Sequence, residues 1–132
     1  MVLDTSALIA ILLAEPERET FVRLLTTEAI LATSAVTFYE ASIVTAAMKK
    51  NPLATRLVDD FIRDMTIEIV PLGIEGTLAA RDAYLRFGRG YHPAGLNFAD
   101  CFSYSLARTR DEPLLFKGDD FLKTDVVPAW RP

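Results

Sequence analysis

The hydrophobic positions of this chain change period as it runs. Met1, Val2 and Leu3 form a short unbroken apolar run, the pattern of a strand buried on both faces, and the run stops at Asp4-Thr5-Ser6. Beyond it Leu8, Ile11 and Leu12 recur at helical spacing, with Thr5 or Ser6 as the cap. Glu15-Pro16-Glu17 ends that helix. Pro16 suits the first turn of a second helix with Phe21, Leu24 and Leu25 as its apolar stripe. Ala29 to Ala32 predicts a second strand. Thr33 or Ser34 then caps a helix through Lys50, where Lys49-Lys50 ahead of Asn51-Pro52 is a C-terminal signal. Leu53 to Met65 predicts a further helix, Ile67 to Val70 a third strand, and Gly73 to Phe87 a helix closed by Gly88 and Gly90. After a polar, glycine-rich loop through Gly95, Asn97 opens a helix to Arg110. Leu114 to Phe116 is a fourth strand, and Val126-Val127 a short fifth. Strands alternating with helices predict an α/β fold with right-handed crossovers and a parallel sheet of four to five strands covered on both faces.

Composition narrows the class. A chain of 132 residues, 51% hydrophobic and 24% charged, buries roughly two thirds of its unfolded surface and is expected to form one domain over residues 1–132. Its longest apolar run, Ala7 to Ala14, is far short of the ~20 residues that span a bilayer, and the start lacks a basic region and cleavage site. No membrane contact and a cytoplasmic location are therefore expected. One cysteine, Cys101, precludes an internal disulfide, and the single histidine, His92, precludes a His-cluster metal site, so any metal must sit on oxygen. The net charge of −4 argues against a nucleic-acid partner at first sight. Setting aside five of the 18 acids as site candidates leaves 13 against 14 bases, a surface about neutral.

Those five are Asp4, Glu40, Asp100, Asp119 and Asp120. Parallel sheets bind ligands at the carboxyl ends of their strands, which is where Asp4 stands after the first strand and Asp119-Asp120 after the fourth. Glu40 lies four after Val36 and three before Ile43, in a helix whose apolar stripe reads Val36, Tyr39, Ile43, Val44 and Ala47, so it is expected to face inward. Asp100 sits among large apolar groups on most faces of its helix and is expected to be substantially buried. Each has a plainer reading alone: Asp4 as a helix cap, Glu40 as a solvated edge residue, Asp100 as a carboxylate on backbone amides, Gly118-Asp119-Asp120 as a turn. Their agreement favours one cleft, provided the first and fourth strands are neighbours. Carboxylates that close cannot all ionise without a cation, and hard Mg²⁺ or Mn²⁺ is the fitting choice for oxygen donors. Such a centre suits phosphodiester hydrolysis by a metal-activated water. Asp4 and Asp100 are the direct ligands in this reading, Glu40 and Asp119 or Asp120 hold or orient waters, and Thr5 and Ser6 support Asp4.

At these residues the chain resembles a PIN-domain ribonuclease, specifically a VapC-type toxin of a toxin–antitoxin pair. The segments that carry the likeness are MVLDTSAL, YEAS with Glu40, HPAGLNFADCFSYSLA around Asp100, and LLFKGDDFLKTDV. The resemblance implies a three-layer α/β/α domain, Mg²⁺-dependent endoribonuclease activity against tRNA or rRNA that inhibits translation, and metal ligation by Asp4 and Asp100 with help from Glu40. It further implies a cognate VapB-type antitoxin that occludes the cleft, and a toxin homodimer. The family's Lys-Gly-x-Asp-Phe pattern places Asp120 at its fixed position, although Asp119 is nearer the strand end; Asp120 is favoured.

Around the site, Arg86, Arg89 and His92, interleaved with Phe87 and Tyr91, are candidates to grip RNA by phosphate contact and stacking, and Lys117 and Lys123 to meet phosphate beside the acidic turn. Cys101 is expected in the core. Phe21, Leu25, Leu57 and Phe61 line an antitoxin groove or pack the core. A haloacid-dehalogenase-type phosphatase needs a second Asp two residues after the first, where this chain has Ser6, and a receiver domain needs further acids upstream and a late Lys. A PIN nuclease that processes RNA without an antitoxin, and a non-catalytic PIN module, are the remaining alternatives.

Overall fold

A computed structural model describes residues 1–131. Four strands, β1 (Val2–Leu3), β2 (Ala32–Ser34), β3 (Glu68–Val70) and β4 (Leu114–Leu115), form one sheet in the order β3-β2-β1-β4, every pair parallel. Six α-helices, α1 (Thr5–Leu12), α2 (Arg18–Thr27), α3 (Ala35–Lys49), α4 (Thr55–Asp64), α5 (Ile74–Phe87) and α6 (Phe98–Arg110), cover it. The apolar runs at β1 and β4 explain the layering. Side chains alternate between faces with period two, so Leu3 and Leu115 enter a core shared with α1 to α4, while Val2 and Leu114 enter a second core shared with α5 and α6. All four are fully buried. Each contributes about 1.5–3 kcal/mol by leaving water. The result is the three-layer α/β/α arrangement.

Several local expectations are corrected. Asp4 caps α1, not Thr5 or Ser6: its backbone is extended and its carboxylate accepts the Ser6 N–H. Helix α2 begins at Arg18, so Pro16 stands before the helix. Its neighbours Glu15 and Glu17 are held by Lys117. Strand β2 starts at Ala32, since sheet pairing begins where the Ala32 N–H donates to the Met1 carbonyl (3.0 Å). Ile30 lies outside the sheet, 58% exposed, with its carbonyl capping the amino group of Met1. Ser34, one of two expected caps, does cap α3. The stretch expected as a helix from Leu53 splits into a 3-10 turn at Pro52–Ala54 and α4, because the Asn51 side chain accepts the Leu53 N–H and Pro52 opens the turn. Val126-Val127 forms no strand. The single bridge there is Leu114 to Pro128, and Pro128 has no N–H with which to extend a ladder. The sheet therefore has four strands.

The inward face of α3 is the largest departure. Thr37, Ala41 and Thr45 are buried, whereas Tyr39 (63%) and Ile43 (47%) of the expected apolar stripe are exposed. Helix α3 packs against α1, α4 and α6 at once, and small side chains permit that approach. The Thr37 hydroxyl is not stranded: it meets Ser34 Oγ at 2.8 Å and Ser103 Oγ at 3.0 Å.

Candidate active site

The carboxyl ends of β1 and β4 are joined by the Asp4 N–H, which donates to the Leu115 carbonyl at 3.0 Å. The first and fourth strands are thus neighbours, and Asp4 is buried at their common edge, 3% exposed. Its Oδ2 accepts the Ser6 N–H (2.9 Å) and the Ser6 hydroxyl (2.6 Å). That hydroxyl in turn accepts the Lys117 N–H at 2.9 Å, so it links the carboxylate to the segment that follows β4. Thr5 donates to Glu40 Oε2 at 2.5 Å and brings α3 to the same edge. Glu40 is half-buried beside the small-residue face of α3, not on an apolar stripe.

Asp100 stands in the first turn of α6. Asn97 Oδ1 accepts the Asp100 N–H (2.9 Å), and Asp100 Oδ2 accepts the Asn97 N–H (2.7 Å), a reciprocal cap that aims the carboxylate. Asp100 is half-buried, less enclosed than its sequence neighbours suggested. Burial pushes its carboxyl up to about 6; the Asn97 amide opposes this, and the negative charges of Asp4, Glu40 and Asp120 add to it. Three acids from three other segments therefore act on Asp100.

Asp119 and Asp120 are both exposed. Gly118, at φ +98°, makes the turn that carries them away from β4. Asp120 acts on Asp100, while Asp119 points outward and meets Lys123 Nζ at 3.3 Å. Lys123 also reaches Asp120 at 3.8 Å, from the solvent side.

The chemistry of this donor set fits a hard divalent cation. Every side-chain donor is oxygen, and Lys117, just beyond β4, is engaged by Glu15 and Glu17. Among the described residues no three His, Cys, Asp or Glu side chains stand placed to hold a metal ion together. Asp4 and Asp100 are each held by their own helix cap. The negative charges of Asp4, Glu40 and Asp120 are felt at Asp100, and like charges oppose closer approach without a counter-charge.

The outlying candidates fare unevenly. Lys117, expected to meet phosphate, turns its ammonium to Glu15 (2.8 Å) and Glu17 (2.9 Å), so its charge is already matched. Arg86 is exposed but paired with Asp125 at 3.2 Å and lies over the Phe87 ring. Arg89 is exposed and carries no ion pair among the described residues. His92 packs its ring edge on Phe87, and its Nδ1 accepts the Ala94 N–H. Cys101 is buried as expected, its thiol pushed up to about 11 by burial. Phe21 and Leu25 belong to the core and not to a groove, leaving Leu57 exposed and Phe61 half-buried on α4. Sequence reasoning missed Tyr104 and Asp125, whose side chains bond at 2.5 Å beside the site. The one available signal was that Tyr104 stands four residues after Asp100.

A parallel α/β/α sandwich with acids gathered at the carboxyl edge is the arrangement of a PIN domain, and residues 1–127 match the PIN domain family. Ribonuclease VapC30 of Mycobacterium tuberculosis (strain ATCC 25618 / H37Rv) is 39% identical over 132 residues, covering 100% of both chains. Two solved structures share the fold at 16% identity. VapC20 of Mycobacterium tuberculosis, described as a sarcin-ricin loop cleaving toxin, has a TM-score of 0.79 over 99% of this chain and 98% of that one. VapBC2 from Rickettsia felis, bound to a DNA fragment from their promoter, has a TM-score of 0.74 over 96% of this chain and 94% of that one. The chain belongs to the PIN-domain family and, within it, to the VapC ribonucleases.

Proposed function

We propose that this protein is a cytoplasmic, single-domain endoribonuclease toxin that requires Mg²⁺ or Mn²⁺ and cleaves tRNA or rRNA to inhibit translation. The observation that carries this reading is the half-buried Asp100 carboxyl, which feels the charges of three acids from three other segments, Asp4, Glu40 and Asp120. Asp4 and Asp100 would hold the cation, with Glu40 and Asp120 supporting it through water. When bound, the cation supplies an activated water and offsets charge on the phosphate. The chain's own part is orientation. Ser6 fixes Asp4, Thr5 fixes Glu40, and Asn97 fixes Asp100, so the acids need little reorganisation. Arg89, exposed and without an ion pair among the described residues, is the base left to meet the RNA backbone.

Partners follow from surfaces left uncovered. Leu53 (62%) and Leu57 (45%) beside α4 suit an apolar segment of a VapB-type antitoxin, and Tyr39, Ile43 and Ile74 suit a second toxin copy. Among the described residues no helix is long and apolar enough to cross a membrane.

The test is cleavage of total host RNA by purified protein with Mg²⁺, with EDTA, and with Asp4→Ala or Asp100→Ala. Discrete products lost under EDTA and in both variants support the reading; cleavage that survives either rejects it. Growth arrest on expression, relieved by the adjacent small gene, supports the toxin role. Absence of arrest in the native host favours an RNA-processing enzyme.

A further inference from the structure

The segment that carries Asp120 belongs to no strand or long helix. It leaves β4 through Gly118 and makes a 3-10 turn at Phe121–Lys123. It re-enters the core at Val126, 7% exposed. Its apolar anchor is Phe121, 4% exposed and 5.0 Å from the Phe116 ring. Its polar anchor is Asp125. Oδ1 of Asp125 accepts the Tyr104 hydroxyl at 2.5 Å, and Oδ2 accepts from Arg86 at 3.2 Å.

Tyr104 stands one helical turn after Asp100 on α6, so the two side chains share a face of the helix. Tyr104 is itself 4% exposed and packed on Phe87 of α5 at 5.3 Å, so its hydroxyl is a fixed point. One face of α6 thus presents a site carboxylate on one turn and holds the segment that brings in another on the next.

We propose that Tyr104 and Asp125 form a tether that sets the position of Asp120 against Asp100. Phe121 fixes the depth of the segment and the Leu114 N–H, donating to the Val127 carbonyl at 2.8 Å, fixes its far end; the Asp125 anchor, five residues beyond Asp120, holds the stretch between them. Arg86 braces the far oxygen of Asp125, which gives it a structural task in place of an RNA contact. Tyr104 and Asp125 are positioning residues, since neither is argued to touch substrate or cation. The inference rests on the reading of the four acids as a cation site.

The test uses the full chain and titrates Mn²⁺ alone, with amide hydrogen exchange as a second readout. Tyr104→Phe keeps the ring against Phe87 and deletes one oxygen; Asp125→Asn keeps the shape and deletes the charge. Each is expected to weaken Mn²⁺ binding roughly 3- to 10-fold, the lower range for a residue that orients a ligand from outside the coordination sphere. The double variant is expected to be no weaker than either single. In an Asp120→Asn background Tyr104→Phe is expected to add nothing, an outcome that general loosening of the fold would not give. Exchange is expected to rise for the Lys123, Thr124 and Val126 amides and not for α5 or α6. Unchanged Mn²⁺ affinity in Tyr104→Phe, or an undiminished loss in the Asp120→Asn background, overturns the tether. A wild type with no affinity for Mn²⁺ overturns instead the reading of the site, and unchanged exchange at those three amides in that case rejects the tether on its own terms.

Discussion

Replacing Asp100 with Asn is expected to make the cation-free protein more stable while abolishing its activity. The Asp100 carboxyl is pushed from 3.8 to about 6, first by burial and then by Asp4, Glu40 and Asp120. At about 1.4 kcal/mol per pH unit, ionised Asp100 costs the fold at most about 3 kcal/mol, and screening at a half-buried position lowers this to about 1–2 kcal/mol. Asn retains an oxygen to accept the Asn97 N–H, so the cap of α6 survives. For a domain of this size the gain is about 3–8 °C in Tm. The sign follows from a folded-state value above the unfolded one: the penalty is absent below about 3.8, grows as pH rises toward about 6, and is complete above it. Thermal unfolding in EDTA should therefore show Asp100→Asn above wild type at about pH 7.5 and level with it near pH 4. Saturating Mg²⁺ should raise the wild type and not the variant. An equal or lower Tm for the variant at about pH 7.5, or the same gain at both pH values, would refute the reasoning.

Thr5→Val deletes the hydroxyl that holds Glu40, and a hydrogen bond to a charged group is worth about 1.5–3 kcal/mol, so cleavage should slow by roughly 10- to 100-fold with the fold retained. Unchanged rates would show that Glu40 needs no such support. Lys117→Ala should leave RNA affinity unaltered in a filter-binding assay because Glu15 and Glu17 already take up its charge, whereas Arg89→Ala should weaken it and lessen its salt dependence by about one ion. Cys101 should resist alkylation in the native protein at about pH 8 and react only on unfolding, read by mass spectrometry.

The layered fold was legible because β1 and β4 are short apolar runs with both faces buried, and because α3 and α6 carry readable caps at Ser34 and Asn97. Asp4 was legible twice over, as a cap and as a strand-end acid, and the structure makes it both. The burial of α3 was not legible. Its inward side is Thr37, Ala41 and Thr45, and a search for large apolar residues at helical spacing finds the opposite, exposed side. Glu40 came to the site for a reason other than its apparent stripe, namely a bond from Thr5. Lys117 looked like a free cation because its two partners lie about a hundred residues earlier in the chain. Spacing alone ranks neither Asp119 nor Asp120, since the turn at Gly118 leaves both exposed and within reach of Lys123.

The central claim is that the four acids hold a divalent cation, and a calorimetric Mn²⁺ titration of wild type, Asp4→Asn, Asp100→Asn and Asp119→Asn tests it most directly. Saturable binding in wild type, weakened at least about 10-fold by the first two substitutions and unaffected by the third, is the predicted result. Equal affinity in all four proteins, or none in the wild type, would contradict the account.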